Sequence, residues 1–364
     1  MLLFGRGKLL RLIEEGLVWK AGGPAQFPEW GSRTPEGIFV EVPAFADGGQ
    51  LDNYISALAI ESGHTLKDAR PAWVQLRGAG LQTMPYERIR DVVRAACPGA
   101  SALGMELNPR LLGPGDIAGY RAIGVERFCF RMESPYDRVD DPARRARALG
   151  AFASVEVCFS DELNALTFMH AVGRALEAAP SQISVSDERR NPAADSGQME
   201  SVSERIVKAG YKRRSLWSWT KTDASFDRLG LQLSGRGAGI GPDAFACRPH
   251  AFRGPAYERW LETRQARNYE VICAEGGLEQ WLALAYGLYA LELRHQSMDF
   301  KAHRQATALA RMGIIDKSGR PVAGRPMEFC HRAARLAQLA VMGDINTAQP
   351  VRPARGPRAA DTGG

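Results

Sequence analysis

Along the first half of the chain, short apolar runs alternate with longer stretches in which apolar positions recur at helical spacing. Ile38-Phe39-Val40-Glu41-Val42 reads as a strand, and Leu51 to Glu61 as an amphipathic helix carrying Ile55, Leu58 and Ala59 on one face. Trp73-Val74-Gln75-Leu76 is the next strand. Met84 to Ala96 follows as a helix, with Thr83 as N-cap and Pro85 in the first turn. Leu103 to Leu107, Val125 to Met132, Val155 to Phe159 and Ile183 to Val185 continue the strands. Gly115 to Ile123 (opened by Asp116), Asp141 to Phe152 (with Pro142 at its start) and Asp161 to Glu177 (capped by Ser160) continue the helices. Strands alternating with helices argue for right-handed βαβ units and a parallel sheet, hence an α/β fold. Six such units predict an open or partial (β/α) barrel rather than a short doubly wound sheet.

The rhythm changes in the second half. A helix from Met199 to Ala209 precedes Leu216-Trp217-Ser218-Trp219, and a glycine-rich stretch runs from Gly235 to Gly241. Helical patterns cover Pro255 to Arg267, Leu278 to Arg294, Phe300 to Met312 and Phe329 to Met342. Ile314 to Val322 reads as a β-hairpin around Ser318-Gly319. These patterns predict an N-terminal extension at 1–36, with one helix from Leu9 to Leu17. The partial barrel and its extension follow at 37–250, a connecting helix at 251–274 and a helical, winged-helix-like domain at 275–345. The tail at 346–364, rich in Pro, Gly, Ala and Arg, reads as disordered.

Composition narrows the classes. The 364 residues carry 47 Lys and Arg against 41 Asp and Glu, a net +6, of which Arg352, Arg355 and Arg358 against Asp361 place +2 in the tail. No basic stripe accompanies this excess, so a nucleic-acid partner is not expected. The six cysteines (Cys97, Cys129, Cys158, Cys247, Cys273, Cys330) lie at least 26 residues apart, which excludes a sequence-local zinc or cluster motif. Cys129 and Cys158 fall in strand-like runs and read as buried thiols. Met1-Leu2-Leu3-Phe4 is broken by Gly5-Arg6-Gly7-Lys8, so no signal peptide is expected. No run approaches the length of a membrane span, and the chain reads as cytoplasmic and reduced.

Several segments, in order, carry a resemblance. Phe39-Val40-Glu41-Val42-Pro43-Ala44-Phe45 is similar to an opening strand Y-x-H-I-P-F-C, and Glu106-Leu107-Asn108-Pro109 to a third-strand E-x-N-P. Gly124-Val125-Glu126-Arg127 is similar to a GV-x-R turn. Ala209-Gly210-Tyr211 and Gly239-Ile240-Gly241-Pro242-Asp243-Ala244 are similar to later AGY and GLGPGA segments. Together with the 278–342 region, they resemble the radical S-adenosylmethionine family of oxygen-independent coproporphyrinogen III oxidase and its haem-chaperone relatives, over roughly residues 37–345.

The departures decide what the resemblance implies. The family's C-x3-C-x2-C, which holds a 4Fe-4S cluster, falls on Phe45, Gly49 and Asp52. Its opening tyrosine and histidine fall on Phe39 and Glu41, and its G-G-G-T-P on Gly78-Ala79-Gly80-Leu81-Gln82. Its fourth-strand glutamine falls on Glu133, and its fifth-strand signature on Val155 to Asp161. The chaperones' H-N-x-x-Y-W falls on Asp227 to Gln232. A 4Fe-4S cluster is therefore not expected. S-adenosylmethionine or haem are the cofactors left open, and the candidate ligand-binding residues are Glu106, Arg145, Gly78, Gly80 and Glu133. The resemblance implies a degenerate member that acts as a non-radical binding, assembly or accessory protein in tetrapyrrole or cofactor metabolism. The partners it implies are a small-molecule or tetrapyrrole ligand, or a protein held by the C-terminal domain. An enzyme doing polar chemistry on S-adenosylmethionine or another small ligand, and a regulatory subunit of an intact paralogue, are its alternatives.

Each candidate also has a plainer reading. Glu106 is either a ribose contact at a strand's carboxyl end or a carboxylate satisfied by backbone amides. Gly78 and Gly80 either admit a ligand or make a strand-end turn. Gly235 to Gly241 resembles a phosphate cradle, but no helix opens after it, so a loop at the sheet's end is expected. Asp47 and Asp52 are read as solvated rather than cation-binding. His250 beside Cys247 is read as a polar loop rather than an axial haem ligand, and Trp217 and Trp219 as one core-facing side of a strand.

Overall fold

The computed structural model describes residues 19–21, 35–66, 69–160, 164–188, 196–246, 252–265, 272–274, 278–291, 307, 309–311, 313–316, 318–322 and 325–342. Its centre is one sheet. The strands are β1 (Gly37–Glu41), β2 (Trp73–Arg77), β3 (Ala102–Leu107), β4 (Val125–Met132), β5 (Phe152–Phe159) and β6 (Gln182–Asp187), joined by helices α1 (Gly48–Thr65), α2 (Tyr86–Ala96), α3 (Asp116–Ala122), α4 (Asp140–Ala148) and α5 (Ala165–Glu177). Helix α6 (Ser196–Lys208) then leads to an antiparallel pair, β7 (Lys212–Ser215) and β8 (Ser218–Thr220). Helix α7 (Arg228–Leu233) precedes β9 (Gly237–Ile240), which returns to pair in parallel with β1. The order is β9-β1-β2-β3-β4-β5-β6-β8-β7, parallel from β9 to β6. Strands that follow one another in space as in sequence, through right-handed crossovers, send their helices to the same face. The other face stays open for chemistry. This is the expected α/β partial barrel, extended by three strands.

Alternation along the strands separates the two faces. Ile38, Val40, Val74, Leu76, Met105, Phe128, Phe130, Val155 and Val157 are fully buried in the core. Their neighbours in sequence, Gln75, Arg77, Glu106, Cys129, Arg131 and Glu156, belong to the opposite face, as a two-residue period requires.

Several expected boundaries move. The fourth helix ends at Ala148, not Phe152: Gly150 turns the chain at φ +73°, and Phe152 opens β5. Asn164, rather than Ser160, caps α5, its side chain accepting from the Thr167 amide at 2.9 Å. Thr83 does not cap α2; its hydroxyl donates back to the Gly80 carbonyl at 3.1 Å, and α2 starts after Pro85.

The glycine-rich stretch expected as a loop is instead strand β9. A Cβ on Gly237 would lie 2.5 Å from the Phe39 ring, and one on Gly239 2.5 Å from the Phe245 amide nitrogen. The glycines are there for close strand packing.

A second sheet of short antiparallel strands joins Trp19–Ala21, Ile272–Ala274, Phe252–Arg253 and Phe245–Ala246, tying the first residues to the region after the barrel. Helices α8 (Tyr257–Gln265), α9 (Leu278–Tyr289) and α10 (Arg325–Met342) follow, and the 314–322 turn is held by an Ile315–Pro321 bridge. The 9–17 helix, His250 with Cys247, most of the 300–312 helix and the 346–364 tail lie outside the described residues.

Candidate functional site

The open face of β3, β4 and β5 carries opposite charges in contact. In register, Glu106 on β3 sits beside Cys129 on β4, and Arg131 on β4 beside Glu156 on β5. Helix α7 lies over this face and drives Arg228 into it. The Arg228 guanidinium donates to Glu106 Oε2 at 3.1 Å and lies 3.7 Å from Glu156 Oε1. Arg131 binds both Glu188 oxygens at 2.7 Å, Glu133 at 3.1 Å, and stands 3.8 Å from Glu156 Oε1.

Burial pushes the Glu106 carboxyl up, but Arg228, Arg77 and Arg131 outweigh it and hold it below its ordinary range. Burial and the Glu156 and Glu106 charges push the Cys129 thiol well up. Burial pushes the Cys158 thiol up as well, against the pull of Arg131. Both are neutral thiols at ordinary pH in this arrangement.

What remains open between α7 and the sheet is a cavity of about 40 Å³, lined by Glu106, Cys129, Glu156, Ser184, Gln232 and Tyr289 among others. Sites for drug-sized molecules run to about 300–1,000 Å³. This one takes water or an ion.

Helix α7 is held in place from its first turn. Asp227 caps it, accepting from the Gly230 amide at 3.1 Å, the Ser215 hydroxyl at 2.7 Å and the Tyr289 hydroxyl at 2.8 Å. Tyr289 lies on α9, so the last helices brace the element that fills the barrel. Asp227, on which the resemblance places the chaperones' histidine, is thus a half-buried structural carboxylate.

The expected residues scatter. Glu106 is in the cavity wall, but its partner is Arg228 and not a backbone amide. Glu133 is exposed beside Arg131, its own amide donating to Asp137 at 2.8 Å. Gly78, at φ +113°, and Gly80 form a turn: added Cβ atoms would lie 2.3 Å from the Val42 carbonyl oxygen and 1.9 Å from that of Pro43. They admit backbone. Arg145, 42% exposed, pairs with Asp141 at 2.8 Å. It lines a separate outer groove of about 810 Å³ with Arg110, Tyr136 and Arg138. Glu106 and Arg145 therefore do not share a site.

Phe45 packs against Tyr54 and Tyr257 at centroid distances of 5.3 and 6.3 Å, and Asp52 is ion-paired with Arg88. Gly49 is in the first turn of α1, which Asp47 caps through the Gln50 amide at 2.8 Å. A ring, a hydrogen and a carboxylate bound to arginine do not fit a 4Fe-4S cluster, which takes thiolates. Trp217 and Trp219 are buried, their indole N–H groups donating to His331 Nδ1 at 2.9 Å and the Ser203 hydroxyl at 3.1 Å.

Sequence reading missed Glu156, Arg131, Arg228 and Gln232, and took Cys129 as inert core. The period-two polar positions of β4 and β5 were the available signal. Nothing in the sequence pointed to Arg228.

No family model matches the chain, and no curated protein matches its sequence. Among solved structures it is similar to coproporphyrinogen III oxidase from Escherichia coli, described as a radical SAM enzyme. The TM-score is 0.62 at 12% identity, over 92% of this chain and 93% of that one. It also matches SuiB from Streptococcus suis with a TM-score of 0.34 at 12% identity, over 48% of this chain and 46% of that one. The chain has a fold similar to that of the E. coli coproporphyrinogen III oxidase, with the same architecture over nearly its whole length.

Proposed function

We propose that the chain is a degenerate relative of the coproporphyrinogen-oxidase-like radical enzymes, a non-radical binding or accessory protein in tetrapyrrole or cofactor metabolism. One observation carries this reading. The barrel face that would receive a nucleoside is occupied by Arg228, paired with Glu106, both side chains 13% exposed. The residues at the cluster positions support it, because Phe45 and Gly49 offer no ligand atom and Asp52 is held by Arg88. The cavity under α7, about 40 Å³, is too small for a nucleoside, which supports a reading in which larger ligands or partners bind at the outer surface.

Anaerobic reconstitution of the full chain with iron and sulfide tests the reading. The expected result is no stoichiometric 4Fe-4S absorbance and no 5′-deoxyadenosine from S-adenosylmethionine. Formation of both overturns it.

A further inference from the structure

The cavity under α7 is walled by buried acceptors, two of which have no hydrogen-bond donor among the described residues. Glu106, Cys129 and Glu156 each offer one ligand atom, and these three atoms lie within 4.8 Å of one another. Glu156 is 7% exposed and Gln232 6% exposed, and each has a side-chain oxygen with no hydrogen-bond partner among the described residues. Both residues line the same cavity. Buried acceptors without donors are rare in native structures and each requires an explanation. For Glu156 Oε1 the guanidiniums of Arg228 and Arg131 stand 3.7 and 3.8 Å away, beyond hydrogen-bond reach. Arg228 is engaged with Glu106 Oε2 instead, which leaves the other Glu106 oxygen free of that bond. A small cation matches a thiol, two carboxylates and an amide oxygen in a cavity of about 40 Å³, of which the Arg228 guanidinium also forms part of the wall.

We infer that Glu106, Cys129 and Glu156 bind a single divalent transition-metal ion of the zinc class, with Gln232 facing its remaining coordination position. One sulfur and two carboxylate oxygens are within the donor range of zinc, and sulfur disfavours magnesium and calcium. Binding releases the Cys129 proton to solvent and forms a metal–thiolate bond, so affinity rises with pH. A second cluster, Glu156, Cys158 and Glu188, shares Glu156, but both Glu188 oxygens are taken by Arg131 at 2.7 Å. The first cluster is therefore the site. It lies on β3 to β5, needs neither sulfide nor S-adenosylmethionine, and is independent of the function proposed above.

The test uses full-length protein stripped with chelator and titrated with Co2+, then with Zn2+ against a chromophoric competitor. The expected result is one Co2+ per chain with a thiolate-to-cobalt charge-transfer band, discharged by Zn2+. Cys129→Ser abolishes the band, Cys158→Ser keeps it, and Glu156→Gln weakens Zn2+ binding by at least the roughly 10- to 100-fold that loss of an outer partner costs. Absence of the band in wild-type protein overturns the inference and assigns the cavity to ordered water. So does a band that survives in Cys129→Ser or disappears in Cys158→Ser. Circular dichroism confirms that each variant is folded, and if Cys129→Ser does not fold, the Cys158→Ser and Glu156→Gln results decide.

Discussion

Arg228 and Glu106 show how much a single buried contact controls. Removing one member of a buried pair strands the other charge, which costs about 3–5 kcal/mol, whereas removing both is often close to neutral. Arg228→Met is therefore expected to lower stability by about that amount in urea denaturation, and adding Glu106→Gln to recover most of the loss. Failure of the second change to rescue would mean that Arg228 acts mainly through Glu156. A different residue sets the acid limb. Burial pushes Glu200 up, but hydrogen bonds from His331 and Arg213 carry it from 4.5 down to about 2. Since only the folded state has the depressed value, its contribution is complete above pH 4.5 and is lost as pH falls toward about 2. Glu200→Gln should lower stability at neutral pH, where the contribution is complete, and flatten the profile between about pH 4.5 and 2. Neither contact was legible from the sequence. Arg228 meets Glu106 only because α7 folds back over the sheet, and His331 reaches Glu200 from the last helix at 3.0 Å. What sequence did carry was the polar alternation of Arg127, Cys129 and Arg131, which marks one side of β4 without saying what faces it.

At the scale of elements, the six βα repeats were readable because buried parallel strands are dense in aliphatic residues and their helices keep a regular apolar stripe. Elements that break those rules were not. Strand β9 has almost no side chains to form a pattern, and α7 spans six residues, too short for periodicity to register. Strand β9 extends the sheet beyond β1, and α7 fills its open face, so the least legible pieces determine the interior. For β9 the glycines make a sharp prediction. Gly239→Ala places a methyl against the Phe245 and Ala244 backbone, at 2.5 and 2.9 Å, and backbone cannot rotate away as a side chain can. A loss of about 1–3 kcal/mol is expected, read from the denaturation midpoint, with the β1–β9 amides losing hydrogen-exchange protection. Wild-type stability with unchanged protection would show that β9 is not held by this packing.

Across the whole molecule, a fold similar to that of a barrel enzyme carries, on the sheet face under α7, a network of guanidinium and carboxylate groups. The mild excess of basic residues therefore says little about the outer surface, since Arg77, Arg131 and Arg228 are spent on internal partners. The family resemblance read from short motifs anticipated the architecture because glycines and turn residues serve the scaffold. It could not anticipate the interior, which is built from residues that the motifs do not include.

One edge of the sheet has a further consequence. Strand β7 is the terminal strand, and its sequence is Lys212-Arg213-Arg214-Ser215. Lys212 and Arg214 are exposed, while Arg213 turns back to Glu200 at 3.0 Å and lies over the Trp219 ring at 5.8 Å. No strand pairs with the outer edge of β7 among the described residues; such an edge invites the backbone of another copy, and positive charges along it make that approach repulsive. Lys212 and Arg214, the latter 3.3 Å from Asp223, put exposed cations on β7, which disfavours edge-to-edge pairing with a second copy.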